Sequence, residues 1–279
     1  QSTMVEQVVL TSFGDMLGIK GTIANAWLRY LERKLPEFDL PDAKLFKSLQ
    51  SIESPPVKPI EDRHSERLAF LQYTGGTTGL SKGAMLSHAN ILANIEQCLS
   101  VSKYIETDDS AKRVLCALPM YHIYALTSIC LLGLRRGDQL ILSHNPRDIN
   151  DLISTIVAHK PQVLPMINTL FTQLLKHPKL DSIDFSVVDY CLSGGMAQQK
   201  RVSDMWYEKT KTHIHQGYGL SETSPVVCIA LTDDMPEDVG PPLPLTEIKI
   251  LDSETGQWVE KGQDGEICVK GPQVMMGYW

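Results

Sequence analysis

From residue 68 to about residue 235 the chain alternates short apolar runs with amphipathic stretches, and that alternation limits its fold more than any other feature. The runs at 68–73, 114–118, 139–142, 162–166 and 187–192 have the length and composition of buried strands, the fourth in spite of Pro165. Between them lie helical patterns. Ser87 can cap a helix carrying Ile91, Leu92, Ile95 and Leu99, and Asp148 can cap one running to residue 157. Asn168 can open a helix with Leu170, Phe171, Leu174 and Leu175 on one side, and 198–209 fits another. Residues 121–134 are mostly apolar and read as a buried helix. Strand–helix–strand repetition predicts an α/β fold, a mostly parallel sheet covered by helices. Ligands of such sheets gather at the C-terminal ends of the strands. After a break at Gly240-Pro241-Pro242-Leu243-Pro244, alternating runs at 247–250 and 266–269 predict the start of a small antiparallel β unit.

One stretch cannot join any core: Thr74-Gly75-Gly76-Thr77-Thr78-Gly79-Leu80-Ser81-Lys82-Gly83. It offers backbone N–H groups, hydroxyls and one ammonium, the donors that cradle a polyanion. Its flanks predict a strand before it and a helix after it, an arrangement that binds phosphate. It is not a Walker A loop, because Ser81 rather than glycine precedes Lys82, and it does not fit G-x-G-x-x-G. The alternative is a flexible surface turn.

Composition narrows the partners. The 279 residues suit one large or two modest domains, and 43% hydrophobic content supplies a sizeable core. A formal net charge of −7 argues against a nucleic-acid partner but leaves room for a nucleotide at a locally positive loop. Six cysteines, without a C-x-x-C, read as reduced small hydrophobes of a cytosolic protein. No run approaches the ~18 apolar residues of a membrane span, and no secretory leader is visible. The chain lacks an initiator methionine and stops at Gly277-Tyr278-Trp279 without a closing helix, which reads as a fragment. Near the start, Ile23, Trp27, Tyr30 and Leu31 share a helical face that Pro36 ends. That face either packs on its own domain or lies on a membrane surface. Ser54-Pro55-Pro56-Val57-Lys58-Pro59 is a stiff linker.

Three further segments stand out, and the second and third follow predicted strands. Gln216-Gly217-Tyr218-Gly219-Leu220-Ser221-Glu222-Thr223 offers a flat ring for a purine, a carboxylate for Mg²⁺ and a hydroxyl for phosphate; it could equally be a tight turn with a surface Glu. Ser193-Gly194-Gly195 is either a ligand contact or a plain strand-to-helix turn. His122, between aromatics, either meets substrate or is satisfied by backbone. G-x-S-x-G and H-E-x-x-H are absent, and the pair His213 and His215 is a poor metal site.

Together these segments resemble the superfamily of acyl- and aryl-CoA synthetases, luciferases and nonribosomal adenylation enzymes. Residues 73–83 resemble its phosphate loop and 217–223 its second nucleotide motif. Gly265-Glu266-Ile267 with Gly271 and Gly277-Tyr278-Trp279 resembles a later signature, and all three occur in family order. Within the superfamily the chain is most similar to the bacterial long-chain fatty-acid–CoA ligases, through Leu71-Gln72-Tyr73-Thr74-Gly75-Gly76, Lys82-Gly83-Ala84-Met85-Leu86-Ser87-His88, Leu118-Pro119-Met120-Tyr121-His122-Ile123, Asn145-Pro146-Arg147-Asp148 and Val269-Lys270-Gly271-Pro272-Gln273-Val274-Met275.

The resemblance implies two steps. A long-chain fatty carboxylate attacks the α-phosphate of ATP to give acyl-adenylate and pyrophosphate, and the thiol of coenzyme A then displaces AMP. By similarity the ATP-binding residues are Tyr73, Thr74, Gly75, Gly76, Thr77, Thr78, Gly79, Ser81, Lys82, Gly83, Gly194, Gly195, Gln216, Gly217, Tyr218, Gly219, Glu222 and Thr223. Lys82, His122, Glu222 and Thr223 carry the catalysis, and Thr78 and Glu222 hold Mg²⁺. The run 123–134 and Met166 line an acyl tunnel. The implied organisation is an N-terminal segment and linker over 1–60, a nucleotide- and acyl-binding subdomain over 61–235, and a partial β-barrel-like subdomain over 236–279. The family's C-terminal lid is absent, so the piece alone is expected to be inactive. A cytoplasmic location, with peripheral contact at the membrane's cytoplasmic face, follows the family. The alternatives are an adenylating enzyme that delivers acyl groups to a carrier protein, and a catalytically silent nucleotide-binding homologue.

Overall fold

The computed structural model describes residues 5–31, 40–50, 66–74, 81–102, 110–143, 145–230 and 238–279. The chain divides into two compact units, Gln1–Arg63 and His64–Trp279. Pro36, the 54–59 linker, the loop residues Gly75, Gly76, Thr77, Thr78, Gly79 and Leu80, and residue 235 lie outside the described residues.

In the first unit β1 (Val9–Leu10) pairs in parallel with β2 (Lys44–Leu45), with α1 (Gly18–Ala26) between them and α2 (Phe46–Leu49) after them. A π-type turn, Trp27–Leu31, continues α1. The helix start demands glycine, because a Cβ on Gly21 would sit 1.7 Å from the Gly14 carbonyl oxygen. The expected apolar face exists but does not pack on its own unit: Ile23 is 66% exposed and Tyr30 73%. Two-residue strands and short helices offer too little surface to cover it.

The second unit opens with an antiparallel hairpin, β3 (Leu68–Thr74) against β4 (Lys82–Ser87), in the register Thr74↔Lys82 and Tyr73↔Gly83. This corrects two expectations. The glycine–hydroxyl loop joins two strands instead of leading into a helix. Also, β3 is a half-exposed strand rather than a buried one, because among the described residues β4 is its one sheet partner. Helix α3 (His88–Ser102) begins after β4. Ser87 Oγ accepts the Asn90 N–H at 3.1 Å, and Asn90 Oδ1 accepts the Ser87 N–H at 2.9 Å, a reciprocal cap. Ile91 and Ile95 are buried, whereas Leu92 is 55% exposed and belongs to the solvent face.

The main sheet follows, with β5 (Arg113–Cys116), a π-type segment Tyr124–Leu131 running into α4 (Leu132–Arg136), then β6 (Gln139–Leu142) and α5 (Ile149–His159). Next come β7 (Val163–Met166), α6 (Asn168–Lys176), β8 (Tyr190–Ser193), α7 (Lys200–Thr210), β9 (Ile214–Gly219) and β10 (Val226–Ile229). The spatial order is β10-β9-β8-β7-β5-β6, parallel except for β10. As expected, Asp148 caps α5, accepting the Asn150 N–H at 3.0 Å. Strand alternation sends Leu115, Leu164, Met166 and Cys191 to one face, under α5–α7, and Val114, Cys116 and Val163 to the other, under the π-type segment. The first core centres on Trp206, fully buried, edge-on to Phe171 at 4.9 Å and to Phe185 at 5.3 Å. β11 (Glu247–Leu251) and β12 (Glu266–Lys270) form a separate antiparallel pair. No described helix is long and apolar enough to cross a membrane.

A buried polar stripe on α3 ties these parts together. Asn94 donates to the Val226 carbonyl at 2.8 Å and accepts the Val226 N–H at 3.0 Å, acting as a strand partner for the edge of β10. Asn90 donates to the Pro272 and Val274 carbonyls, both at 2.8 Å, and Gln97 donates to the Pro244 carbonyl at 2.6 Å. The spacing 90, 94, 97 places all three on one face of the helix. Two expected outcomes follow. Trp206→Ala lowers unfolding free energy by about 3–5 kcal/mol in urea titrations of the intact protein. Asn94→Leu, close in volume but without the amide, costs about 1–3 kcal/mol by leaving the Val226 groups unpaired; an unchanged midpoint would show that the amide clamp is dispensable.

Candidate functional site

A cleft of about 270 Å³ opens at the C-terminal ends of β8 and β9, lined by Thr74, His122, Ser193, Gly194, Gly195, Gly217, Tyr218, Gly219, Leu220 and Glu222 among others. Parallel strands stop there while their loops diverge, so the backbone leaves a concavity. Glycine is needed at two of its walls. Gly195 has φ +77°, and a Cβ on Gly219 would sit 2.0 Å from the Pro225 carbonyl oxygen, where β9 folds back onto β10. A Cβ on Gly194 would press on the Tyr124 ring at 3.3 Å.

The polar side chains divide into those that face the cleft and those that build it. Tyr218 lines it half-buried, and burial raises its hydroxyl above the usual tyrosine value. His122 lines it with Nδ1 accepting the Tyr124 N–H at 3.2 Å, which leaves Nε2 to carry the proton of the neutral ring. Thr223 is buried: its hydroxyl donates to the Pro225 carbonyl and accepts the Leu220 N–H at 3.0 Å, so it closes the turn instead of lining the cleft. Gln216 is buried within β9, and Tyr73 is 52% exposed beside Gly83; neither lines the cleft. Ser81 and Lys82 are exposed at the start of β4. Of the sequence-predicted loop, Thr74, Ser81, Lys82 and Gly83 are described, and Thr74 lies on the cleft wall, so the hairpin brings the loop's two ends to the site.

The signature residues Gly277-Tyr278-Trp279, to which the sequence attached no role, stand beside the cleft residue Glu222. Residues 276–279 run antiparallel to β4: the Met85 N–H donates to the Gly277 carbonyl, and the Trp279 N–H to the Gly83 carbonyl, both at 2.9 Å. The Met275 N–H donates to the Glu222 carbonyl at 2.8 Å. This zipper delivers the Tyr278 hydroxyl to Glu222 Oε1 at 2.6 Å and sets the Tyr278 ring 5.3 Å from the Lys82 ammonium. The Glu222 hydrogen bond raises the Tyr278 hydroxyl. Among the described residues, Glu222 is the one acidic side chain lining the cleft, and no cluster of three or more His, Cys, Asp or Glu could hold a metal by itself. His213 stacks on Tyr207 at 4.2 Å.

Behind the cleft lies a smaller apolar cavity of about 60 Å³, sharing Leu192, Val226 and Ile229 with it. Ser128, Ile129, Leu132 and Gly133 cover it; Val114, Val163 and Pro165 form its sheet side. Residues 128–133 thus come from the run expected to line a tunnel. Met166 does not: strand alternation puts it in the opposite core, with Pro165 facing the cavity. Two ion pairs stand at its sheet-start end, Lys112–Asp189 at 3.0 Å and Arg136–Asp138 at 3.2 Å. Burial pushes the Cys98 thiol, on the cavity wall, up to about 12, so it stays protonated and unreactive at neutral pH.

Residues 24–279 match the family of AMP-binding enzymes. The chain is 41% identical to a long-chain-fatty-acid–CoA ligase of Salmonella typhimurium and 36% identical to one of Bacillus subtilis. The alignments cover 100% and 99% of this chain but 50% of each relative, so the chain spans about half the length of the curated relatives it matches. Among solved structures, ATP-bound MatB from Rhodopseudomonas palustris superposes with a TM-score of 0.68 at 31% identity, over 78% of this chain and 42% of that one. A long-chain-fatty-acid-CoA ligase from Archaeoglobus fulgidus gives 0.62 at 25% identity, over 74% and 42%.

The close approach at Gly219 generates a direct expectation. Gly219→Ala forces β9 and β10 apart and costs about 3 kcal/mol of stability, whereas Gly256→Ala, which meets open space, costs about 1–2 kcal/mol from its left-handed backbone alone. Equal urea midpoints for the two variants would contradict the tight turn.

Proposed function

We propose that this chain, which belongs to the family of AMP-binding enzymes, forms the nucleotide- and acyl-binding core of an ATP-dependent long-chain fatty-acid–CoA ligase. The observation that carries this reading is the junction of a glycine-lined cleft holding His122 and Glu222 with an apolar cavity through Leu192, Val226 and Ile229. The head and first few methylenes of a fatty carboxylate fit such a junction, head beside the phosphate loop and tail entering under the 128–133 segment.

In this reading a fatty carboxylate attacks the α-phosphate of ATP, the bond to pyrophosphate breaks, and the thiol of coenzyme A later displaces AMP from the acyl carbon. The first step brings two anions together, so its catalysis is positional and electrostatic. The backbone of 74–83 cradles the triphosphate, and Lys82 supplies positive charge. Tyr218 stacks on adenine beside Gly194 and Gly195. His122 Nε2–H donates to the carboxylate or adenylate. Thr223 and Gln216 act by building the turn and strand that present Glu222 and Tyr218.

The donor set fits Mg²⁺. A single cleft carboxylate, with no ligand cluster around it among the described residues, matches an ion bound chiefly through phosphate oxygens and water. Glu222, with Thr78, would hold it, and when bound it neutralises phosphate charge. A cytoplasmic location with peripheral membrane contact belongs to the same proposal, supported by the exposed apolar face of α1.

The test is pyrophosphate release by the intact protein with palmitate, ATP and Mg²⁺, followed by transfer to coenzyme A or to holo-acyl carrier protein. Lys82→Ala and Glu222→Gln each lower kcat/KM by about 10²-fold or more, with coenzyme A as the preferred acceptor. Preference for the carrier protein, or unaltered rates in both variants, would overturn the reading. The cavity yields a second outcome. The Ser128 hydroxyl is buried without a partner among the described residues, so Ser128→Leu breaks no hydrogen bond and fills space. The ratio of kcat/KM for palmitate over octanoate then falls by about tenfold or more; an unchanged chain-length profile would place the tail elsewhere.

A further inference from the structure

Lys82, exposed at the start of β4, and Glu222, on the cleft wall, carry opposite charges, yet no ion pair joins them among the described residues. The Tyr278 ring contacts both: its hydroxyl donates to Glu222 Oε1 at 2.6 Å, and its face lies 5.3 Å from the Lys82 ammonium. The ring is held by backbone rather than by its own packing. Residues flanking it bond to Gly83 and Met85 on one side, and Met275 bonds the Glu222 carbonyl on the other. Tyr278 itself is 45% exposed, so it is not a core residue whose burial explains its place.

We propose that Tyr278 is a positioning residue for the nucleotide site, aligning Glu222 through its hydroxyl and Lys82 through its ring while keeping the two charges apart. This rests on the assignment of Glu222 to the divalent ion and Lys82 to the triphosphate. The hydrogen bond occupies Oε1 and fixes the carboxylate plane, leaving Oε2 for a cation. Partners of a metal-binding carboxylate usually matter in this way, by orienting it. The ring gives Lys82 a weak cation–π seat instead of a carboxylate, so its charge remains available to phosphate. Direct pairing of Lys82 with Glu222 would cancel both charges.

The two contacts can be separated by substitution. ATP binding to the intact protein is measured by equilibrium dialysis without fatty acid, across a Mg²⁺ titration and in EDTA. Tyr278→Phe keeps the ring and loses the hydroxyl. It raises the Mg²⁺ concentration for half-maximal enhancement of ATP binding about tenfold and leaves binding in EDTA unchanged. Tyr278→Leu loses both contacts, shows the same Mg²⁺ shift, and weakens binding in EDTA by a further ~2–5-fold. Thermal melting of both variants matches the parent, since the residue is half exposed. Glu222→Gln abolishes the Mg²⁺ enhancement. If Glu222→Gln keeps that enhancement, the assignment of the ion to Glu222 is wrong. If Glu222→Gln loses it while Tyr278→Phe behaves as the parent, the assignment stands and the positioning role of Tyr278 is refuted.

Discussion

The amide stripe on α3 is the interaction on which the rest of the second unit rests. Among the described residues the hairpin β3–β4 forms a sheet of its own, separate from the main sheet. Its link to β10 runs through Asn94, which satisfies both backbone groups of Val226, and its link to the 272–274 segment runs through Asn90. These are buried polar groups, and a buried N–H or carbonyl without a partner costs more than a made hydrogen bond gains. The stripe therefore specifies as well as stabilises: a small rotation of α3 would orphan several groups at once. Lys82, at one end of that hairpin, is tied to Glu222 by the backbone zipper of residues 275–279, so α3 and the zipper together set their separation.

The cleft combines chemistry that would be self-defeating if assembled carelessly. A site for a polyanion needs positive charge, an ion-binding carboxylate needs negative charge, and at close range the two neutralise one another. Here backbone supplies much of the polar surface, through glycines at 194, 195, 217 and 219 that let main chain line the cavity. Few ionisable side chains line the cleft, and Tyr278 stands between one of them, Glu222, and the neighbouring Lys82. The apolar cavity lies under the same strands, so head and tail of one ligand can be held by adjoining strands of a single sheet.

Much of this was legible in the sequence for a simple reason: parallel strands buried on both faces are short apolar runs, and caps such as Ser87 and Asp148 act locally. The matching runs at 139–142 and 162–166 needed no tertiary information. What was not legible is non-local. Residues 82–87 begin with Lys and Gly and lack alternation, so nothing local marks β4 and the loop reads as leading into a helix. Asn90, Asn94 and Gln97 look like a solvent face, and only the strands they satisfy reveal them as buried. Leu92 and Met166 have the right chemistry but the wrong phase, facing solvent and the opposite core. Thr223 carries a donor of the right kind, but the turn that presents Glu222 consumes it. The pairing of 276–279 with β4 spans almost two hundred residues, beyond the reach of any local pattern.

The proposition that a triphosphate and its divalent ion sit between the hairpin loop and Glu222 is best tested by anomalous diffraction from crystals of the intact protein grown with ATP and Mn²⁺. A single manganese peak within bonding distance of a Glu222 carboxylate oxygen and of nucleotide phosphate oxygens, with the phosphates against 74–83, is the predicted result. Manganese and phosphates bound away from Glu222, or a nucleotide seated outside the cleft at the ends of β8 and β9, would contradict it.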